Sequence, residues 1–505
     1  MENKIYMKDF PCYGSATEKA REMVGKNPYF DLEQLPEPRM REEARAFILY
    51  RGNSLSLITM YGDRRYYNNI CKFIKKKGGG VHSFAKMEPA AWERKLRGWM
   101  LENNLKLTEE IHNLSGNTSY GKSKLILYFE RLLRFSQDTG ELEETEKDIW
   151  ELEKLDIDIR WNPITNFKNL NFTKIYQLDI REEVKKAIYM HLRSEAVATV
   201  AMELTAVRRL SKFLKERYPK IQSCAELDRI VLEEYLTYLK TEAPPNSHLH
   251  TDLGRLRAVL ETVGKIYQYP QLDGMVLNRD IPPTPPAEFK TYSDAEMKRI
   301  NACLAKQQIQ IARLMVIHQM LGTRISDTLT LHPDCLYEKQ GETVIRIKQM
   351  KTHPYEKIVS EELAMLIRAA IEDTRERHGD TKYIFVNEKD PKRPMQYTTI
   401  QYLISKMIQD EDLRDDNGNL FGFNSHMYRH YYGVKLTEMH LNDWTIARLL
   451  GHSSIKNVRY YRKMSNQLLA DETRAARHML SEMILENLDG WGEEYEQIRQ
   501  DDSLE

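Results

Sequence analysis

Leu449-Leu-Gly-His452-Ser-Ser-Ile455, followed nine residues after the histidine by the pair Tyr460-Tyr461, closes the last strongly patterned region of this 505-residue chain. Gly451-His452-Ser453-Ser454 has the form of a helix start, with a serine available as N-cap. Adjacent tyrosines stand about 100° apart on a helix, so at most one of the pair can face a given site, and spacing alone does not choose between them. Upstream, His426-Met-Tyr-Arg429 sets two donors three residues apart, hence on one helix face, where both can reach one phosphate. His426 and His430 are four apart, a spacing that two zinc ligands can share. No glutamate follows His426, however, and no cysteine or carboxylate cluster adds ligands, so no metal is expected. Further back, Leu321-Gly-Thr-Arg324-Ile-Ser-Asp327 places a guanidinium near a helix start, where backbone N–H groups favour an anion. Asp327, three residues on, is its natural ion-pair partner. Between these stretches, Thr343-Val-Ile-Arg-Ile-Lys348 and Lys357-Ile-Val359 are β-branched segments flanking a turn, which predicts a hairpin with Lys351 near its tip.

The surrounding composition is that of an ordinary soluble enzyme, with 41% hydrophobic and 30% charged residues. The length calls for about three domains. No apolar run approaches a membrane span and the N-terminus lacks a signal-peptide core, so a cytoplasmic protein is expected. The five cysteines form no C-x-x-C pair and read as reduced thiols. Lys plus Arg and Asp plus Glu both number 75, so charge is informative only locally. Acidic residues gather at Glu141 to Glu153 and Glu482 to Glu505, basic ones at Arg208, Arg209, Lys212, Lys215 and Arg217. A solvated helix face is the plain reading of any such run. No G-x-x-x-x-G-K-[ST] motif occurs, and no cofactor is expected.

Arg279-Asp-Ile-Pro-Pro-Thr-Pro-Pro-Ala-Glu288 cannot be helix or interior strand, because proline lacks the amide donor and restrains its predecessor. It reads as a linker over 279–290. Ser293 and Glu296 then form a capping box that opens a new domain. Before the linker, Met40-Arg-Glu-Glu-Ala-Arg-Ala-Phe-Ile48 repeats as Ile180-Arg-Glu-Glu-Val-Lys-Lys-Ala-Ile188, a spacing of 140 residues. At the same offset Lys72-Phe-Ile-Lys75 matches Lys212-Phe-Leu-Lys215, and Ser83 matches Ser223. Two copies of a helical domain are expected, each closed by a further helix around Leu125 to Phe135 and Leu253 to Tyr267. Basic residues on the outer faces could contact DNA phosphates.

In their order and local context, Arg324, Lys351, His426, Arg429, His452 and Tyr461 resemble the tyrosine recombinase, or phage integrase, family over roughly Thr291 to Leu480. The resemblance implies a mainly α protein, with helical N-terminal and core-binding domains before a mixed α/β catalytic domain with a small sheet. The implied boundaries are 1–140 for a duplicated core-binding-like domain, 141–178 for an acidic linker and 179–278 for a SAM-like core-binding domain. The catalytic domain would span 291–480 and an acidic tail 481–505, where Met483, Ile484 and Leu485 would pack on a neighbouring subunit or in cis.

Family spacing favours Tyr461 over Tyr460 as nucleophile. Arg324 and Arg429 would hold the phosphate, Lys351 (or Lys348, given the longer hairpin) would protonate the leaving group, and His426 and His452 would assist. Asp327 would orient Arg324. Double-stranded DNA would be the partner, gripped by Arg208, Arg209, Lys212, Lys215, Lys72 and Lys75, in a homo-tetramer on two sites with accessory factors. A type IB topoisomerase and a non-catalytic DNA-binding regulator are the alternatives.

Overall fold

The computed structural model describes residues 3–112, 118–137, 142–244, 246, 248–284, 290–349, 353–464, 474 and 477–480. Lys351 and the tail 481–505 lie outside them, as does the packing expected of Met483, Ile484 and Leu485. The fold is mainly helical with small sheets. It divides into two units, Met1–Lys147 and Asp148–Glu505.

The first unit opens with an antiparallel ribbon of Lys4–Tyr6 and Tyr29–Asp31. The helices Pro38–Ser54, Leu57–Lys77, Pro89–Glu102 and Lys124–Gln137 follow. The second unit opens the same way, with Ile149–Glu151 paired to Asn169–Asn171, then Leu178–Leu192, Val197–Arg217, Arg229–Thr241 and Leu249–Tyr267. The 140-residue spacing extends to individual hydrogen bonds. Arg41 Nε donates to Leu35 O at 2.7 Å and Arg181 Nε to Ile175 O at 2.9 Å. The Glu43 carboxylate accepts from Ser83 Oγ and Phe84 N, and Glu183 accepts from Ser223 Oγ and Cys224 N in the same pattern. Each glutamate thereby satisfies donors at the start of a short 3-10 turn, which fixes the path between the second and third helices. The copies differ by a β-hairpin, Thr108–His112 with Thr118–Lys122, inserted before the last helix of the first copy.

The segment expected as an acidic linker, 141–178, is in large part folded. Trp150 and Phe172 are fully buried with ring centroids 4.6 Å apart, and Leu170 and Ile175 join the same core. The acids interleaved with these apolar residues stay at the surface, where Asp148 pairs with Arg181 and Lys185. Burial of the aromatic positions outweighs the charge that made the stretch look like a linker. Ile164, within it, belongs to the core of the C-terminal domain, and its carbonyl accepts from Tyr397 N at 3.2 Å. The proline-rich segment is anchored at its start by Asp280, which accepts two hydrogen bonds from Arg229.

Beyond it, Ser293 and Glu296 form the expected capping box on Asp294–Leu304. The helices Ile309–Leu321 and Glu361–His378 pack beside a three-stranded antiparallel sheet of Leu336–Lys339, Glu342–Ile347 and Tyr355–Ile358. The helices Tyr397–Asp410, Ser425–Glu438, Asp443–Leu450 and Val458–Met464 complete the described part. Among the described residues, no helix is long and apolar enough to cross a membrane.

Candidate functional site

The helix Ile309–Leu321 ends at Gly322, whose φ of 60° is the left-handed conformation that lets the chain turn sharply into Arg324, the N-cap residue of the short helix Ile325–Leu329. A buried chain of polar groups holds this turn. Thr323 Oγ1 lies 2.6 Å from Thr328 Oγ1, Thr328 Oγ1 lies 2.9 Å from His318 Nδ1, and His318 Nε2 is 3.1 Å from Ser425 O. A carbonyl only accepts, so Nε2 carries the proton, and Thr328 then donates to Nδ1 and accepts from Thr323. Burial pushes the His318 pKa down to about 4, in keeping with this neutral tautomer. Nothing in the local sequence marks His318, which ties the Arg324 turn to the start of the helix bearing His426 and Arg429.

Arg429 is 1% exposed. Its Nη1 donates to Gly322 O at 3.0 Å and its Nη2 to Leu450 O at 2.8 Å. One guanidinium therefore clamps the ends of two helices, those preceding Arg324 and His452. Its charge also acts on the Tyr461 side chain. Burial lowers its pKa, while Tyr461 and Asp327 oppose that effect. Asp327, 1% exposed, has a carboxylate oxygen 3.9 Å from Arg324 Nη1, a distance for charge pairing but not for a hydrogen bond. Arg324 Nη1 is buried and without a hydrogen-bond partner among the described residues.

Gly451-His452 lies at the end of a helix rather than the start of one. Gly451, with φ 65°, caps Asp443–Leu450, and Ser454 caps the next short turn. The His452 ring lies at 16° to that of Tyr461, with centroids 6.1 Å apart, and its Nδ1 has no partner among the described residues. Burial, then the charges of Arg429, Arg324 and His426, push its pKa down to about 3. His426 opens to solvent on one side, and its ring is 4.6 Å from that of His430. Burial of the rest, then His430, Arg429 and Arg324, lowers its pKa to about 4. Both are therefore neutral at pH 7 and free to accept a proton.

The structure separates the two tyrosines. Tyr461 is 4% exposed and packs flat over Gly433, whereas Tyr460 is 38% exposed on the outer face. Burial raises the Tyr461 pKa, and the charges of Arg429 and Arg324 counter it.

Lys348 is exposed. Lys357, on the returning strand, is 7% exposed and donates to Leu321 O at 2.7 Å. Burial, then the Arg429 charge, depress its pKa to about 7. Gln349 and Tyr355, on the two arms of the hairpin, lie against Gly451. Sequence reading passed over all three, because a glutamine, a tyrosine and a lysine in a hairpin carry no distinguishing pattern.

Of the basic residues on Val197–Arg217, two are engaged by other groups of the protein. Arg208 is half-buried and donates to Asn171 O, and Arg209 pairs with Asp252. The folded segment before the first helix occupies the side Arg208 faces, whereas Arg209 stays exposed. Lys212 is exposed, and Lys215 lies 3.8 Å above the Tyr176 ring. Lys72 and Lys75 are exposed in the first unit. Among the described residues, His191, Glu195 and Glu203 are close enough to share a metal. Both His191 nitrogens are already engaged, by Glu203 and Thr262 at 2.8 Å each, so this group reads as a latch between helices.

Two arginines, two neutral histidines and a buried tyrosine, carried by a mostly helical domain, define a site built for an anionic ester within reach of a phenol. Residues 290–467 match the phage integrase family. That stretch is a phage integrase, or tyrosine recombinase, domain, and by class the protein is a tyrosine-type DNA strand transferase. It is 22% identical over 474 residues to transposase B from transposon Tn554 of Staphylococcus aureus, which covers 91% of this chain and 74% of the relative. Transposase B from transposon PsiTn554 of the same species is 21% identical over 471 residues, with the same coverage. Among solved structures, the Tn1549 transposon integrase in complex with transposon right end DNA aligns with TM-score 0.43 and 14% identity, over 60% of this chain and 100% of that one. The XerH recombinase bound to difH aligns with TM-score 0.41 and 16% identity, over 57% and 83%.

Proposed function

We propose that this protein is the site-specific recombinase of a mobile element, an integrase or transposase that cuts and rejoins double-stranded DNA through a 3′-phosphotyrosine at Tyr461. The observation that carries this reading is the convergence of Arg429 and His452 on the buried Tyr461, beside the unpartnered Arg324 Nη1 and His452 Nδ1. Transposase B of Tn554, related along 91% of the chain, supports the mobile-element setting.

In this reading Arg324 and Arg429 bind the non-bridging phosphate oxygens and stabilise the charge that builds on them, with Asp327 orienting Arg324. Ionising a free phenol at pH 7 costs about 4 kcal/mol. Burial raises that cost, so proton removal accompanies attack, with neutral His426 as acceptor. The Tyr461 oxygen forms a bond to phosphorus as the bond to the 5′ oxygen breaks, and Lys351 protonates that oxygen. His452 hydrogen-bonds the phosphate. A 5′-hydroxyl from another strand reverses the step, and because the phosphotyrosine conserves the ester bond no nucleotide is consumed. Lys212, Lys215, Lys72 and Lys75 contact DNA phosphates. The working assembly is a homo-tetramer on two sites in the cytoplasm, with accessory factors setting direction.

The test is covalent trapping. Wild type and Tyr461→Phe are incubated in EDTA with a nicked suicide duplex from the ends of the element carrying the gene, then run on a denaturing gel. A DNA-linked band in wild type alone supports the reading. No band despite binding points to a DNA-binding regulator, a band in both to another nucleophile. Relaxation of supercoils without strand exchange points to a type IB topoisomerase.

A further inference from the structure

Gln349 is 9% exposed, and neither its amide oxygen nor its amide nitrogen has a hydrogen-bond partner among the described residues. The Tyr355 hydroxyl, six residues on and across the hairpin, is likewise buried and unpartnered. Leaving such groups buried and unpaired is costly, so a folded protein keeps them where something else uses them. Both side chains lie against one residue. A Cβ at Gly451 would stand 2.4 Å from Gln349 Nε2 and 2.6 Å from Tyr355 Cε1, so the glycine lets the hairpin close onto the turn that carries His452. The charges of Arg429, Asp327 and Arg324 all act on Tyr355. Gln349 and Tyr355 thus bring two unpaired donors to the turn that carries His452, with Tyr355 in reach of the charges of Arg324 and Arg429.

We propose that Gln349 and Tyr355 are further catalytic residues, donating hydrogen bonds from the side-chain amide and the phenol to the oxygens of the phosphodiester that Tyr461 attacks. The inference rests on the recombinase reading above. It adds two neutral donors to the arginine pair, from the hairpin that joins Glu342–Ile347 to Tyr355–Ile358. Neutral donors let the pocket bind the phosphate strongly without placing further positive charge beside Arg324 and Arg429, whose mutual repulsion is already unfavourable.

The experiment measures three quantities for wild type, Gln349→Leu and Tyr355→Phe: melting temperature without DNA, affinity for the nicked duplex, and the rate of covalent adduct formation. Loss of a hydrogen bond to a charged oxygen predicts a roughly 10- to 100-fold slower adduct with little change in affinity. The melting temperature holds or rises, because an unsatisfied polar group has been removed from the interior. A purely structural role would lower melting temperature and rate together. The same rates are then measured with each methylphosphonate diastereomer at the scissile position. Where Gln349 contacts the substituted oxygen, the penalties of Gln349→Leu and the methyl group are not additive. Wild-type rates in both variants, slowing only in step with lost stability, or full additivity with both diastereomers would overturn the proposal. Absence of any adduct in wild type would instead bring down the recombinase reading and this inference with it.

Discussion

Arg429 spans the site by bonding Gly322 O at 3.0 Å and Leu450 O at 2.8 Å, so that one side chain sets the distance between the Arg324 turn and the His452 turn. Replacing it with lysine, a single point donor on a flexible stem, leaves at least one of these buried carbonyls without its partner. Arg429→Lys is expected to lose about 1–3 kcal/mol of stability in urea unfolding. It should also abolish the covalent adduct, whereas Arg299→Lys, at the exposed pair with Asp416, should leave adduct formation unchanged.

Tyr461 and Tyr460 differ in direction, one covered and one outside. Tyr460→Phe should form the adduct at close to the wild-type rate. Tyr461→Phe should form none while binding the nicked duplex with unchanged affinity in a gel-shift assay.

Gly433 supports the Tyr461 ring, and a Cβ there would stand 2.9 Å from three of its atoms. Gly433→Ala must push the phenol away from Arg429. A loss of at least tenfold in adduct rate is expected, with an overpacking cost of about 1–3 kcal/mol. Equal rates for Gly433→Ala and wild type would show that the ring position is not critical.

His318, His426 and His452 have native pKa values pushed down to about 4, 4 and 3. The unfolded chain titrates them near 6.5, so from there down to the native values it binds more protons than the folded protein. Stability is therefore full above about pH 6.5 and falls as pH falls through this window. For fully buried His318 the loss between pH 7 and 4 is of order 3 kcal/mol. His318→Gln should flatten the pH dependence of urea unfolding over that range.

Lys357 shifts in the alkaline direction of the same linkage. Its native pKa of about 7 lies below the unfolded value, so the unfolded chain holds the extra proton between about pH 7 and 10.4. Its contribution to stability rises with pH across that window. Lys357→Met, which keeps the stem but not the charge, should remove the rise; an unchanged slope would show that the ammonium is not buried in solution.

The sequence by itself determined what local rules and simple spacing carry. The Ser293–Glu296 capping box is local chemistry, and the hairpin of Glu342–Ile347 with Tyr355–Ile358 follows from β-branched runs on either side of a turn. The 140-residue repeat reappears as paired contacts, because Glu43 and Glu183 each hold a serine 40 residues on. The order of Arg324, His426, Arg429, His452 and Tyr461 carried the family resemblance. What only the tertiary structure decided depends on groups far apart in the chain. His318 reaches Ser425 across 107 residues and Lys357 reaches Tyr432 across 75, so no window of sequence contains either contact. The choice of Tyr461 over Tyr460 on physical grounds needed Gly433, whose missing side chain makes room for only one ring. Arg208 looked like a surface cation until a segment read as linker was found folded against it. In each case the deciding quantity is burial, which a one-dimensional pattern does not contain and which sets whether a polar group is solvated, paired or held ready for a substrate.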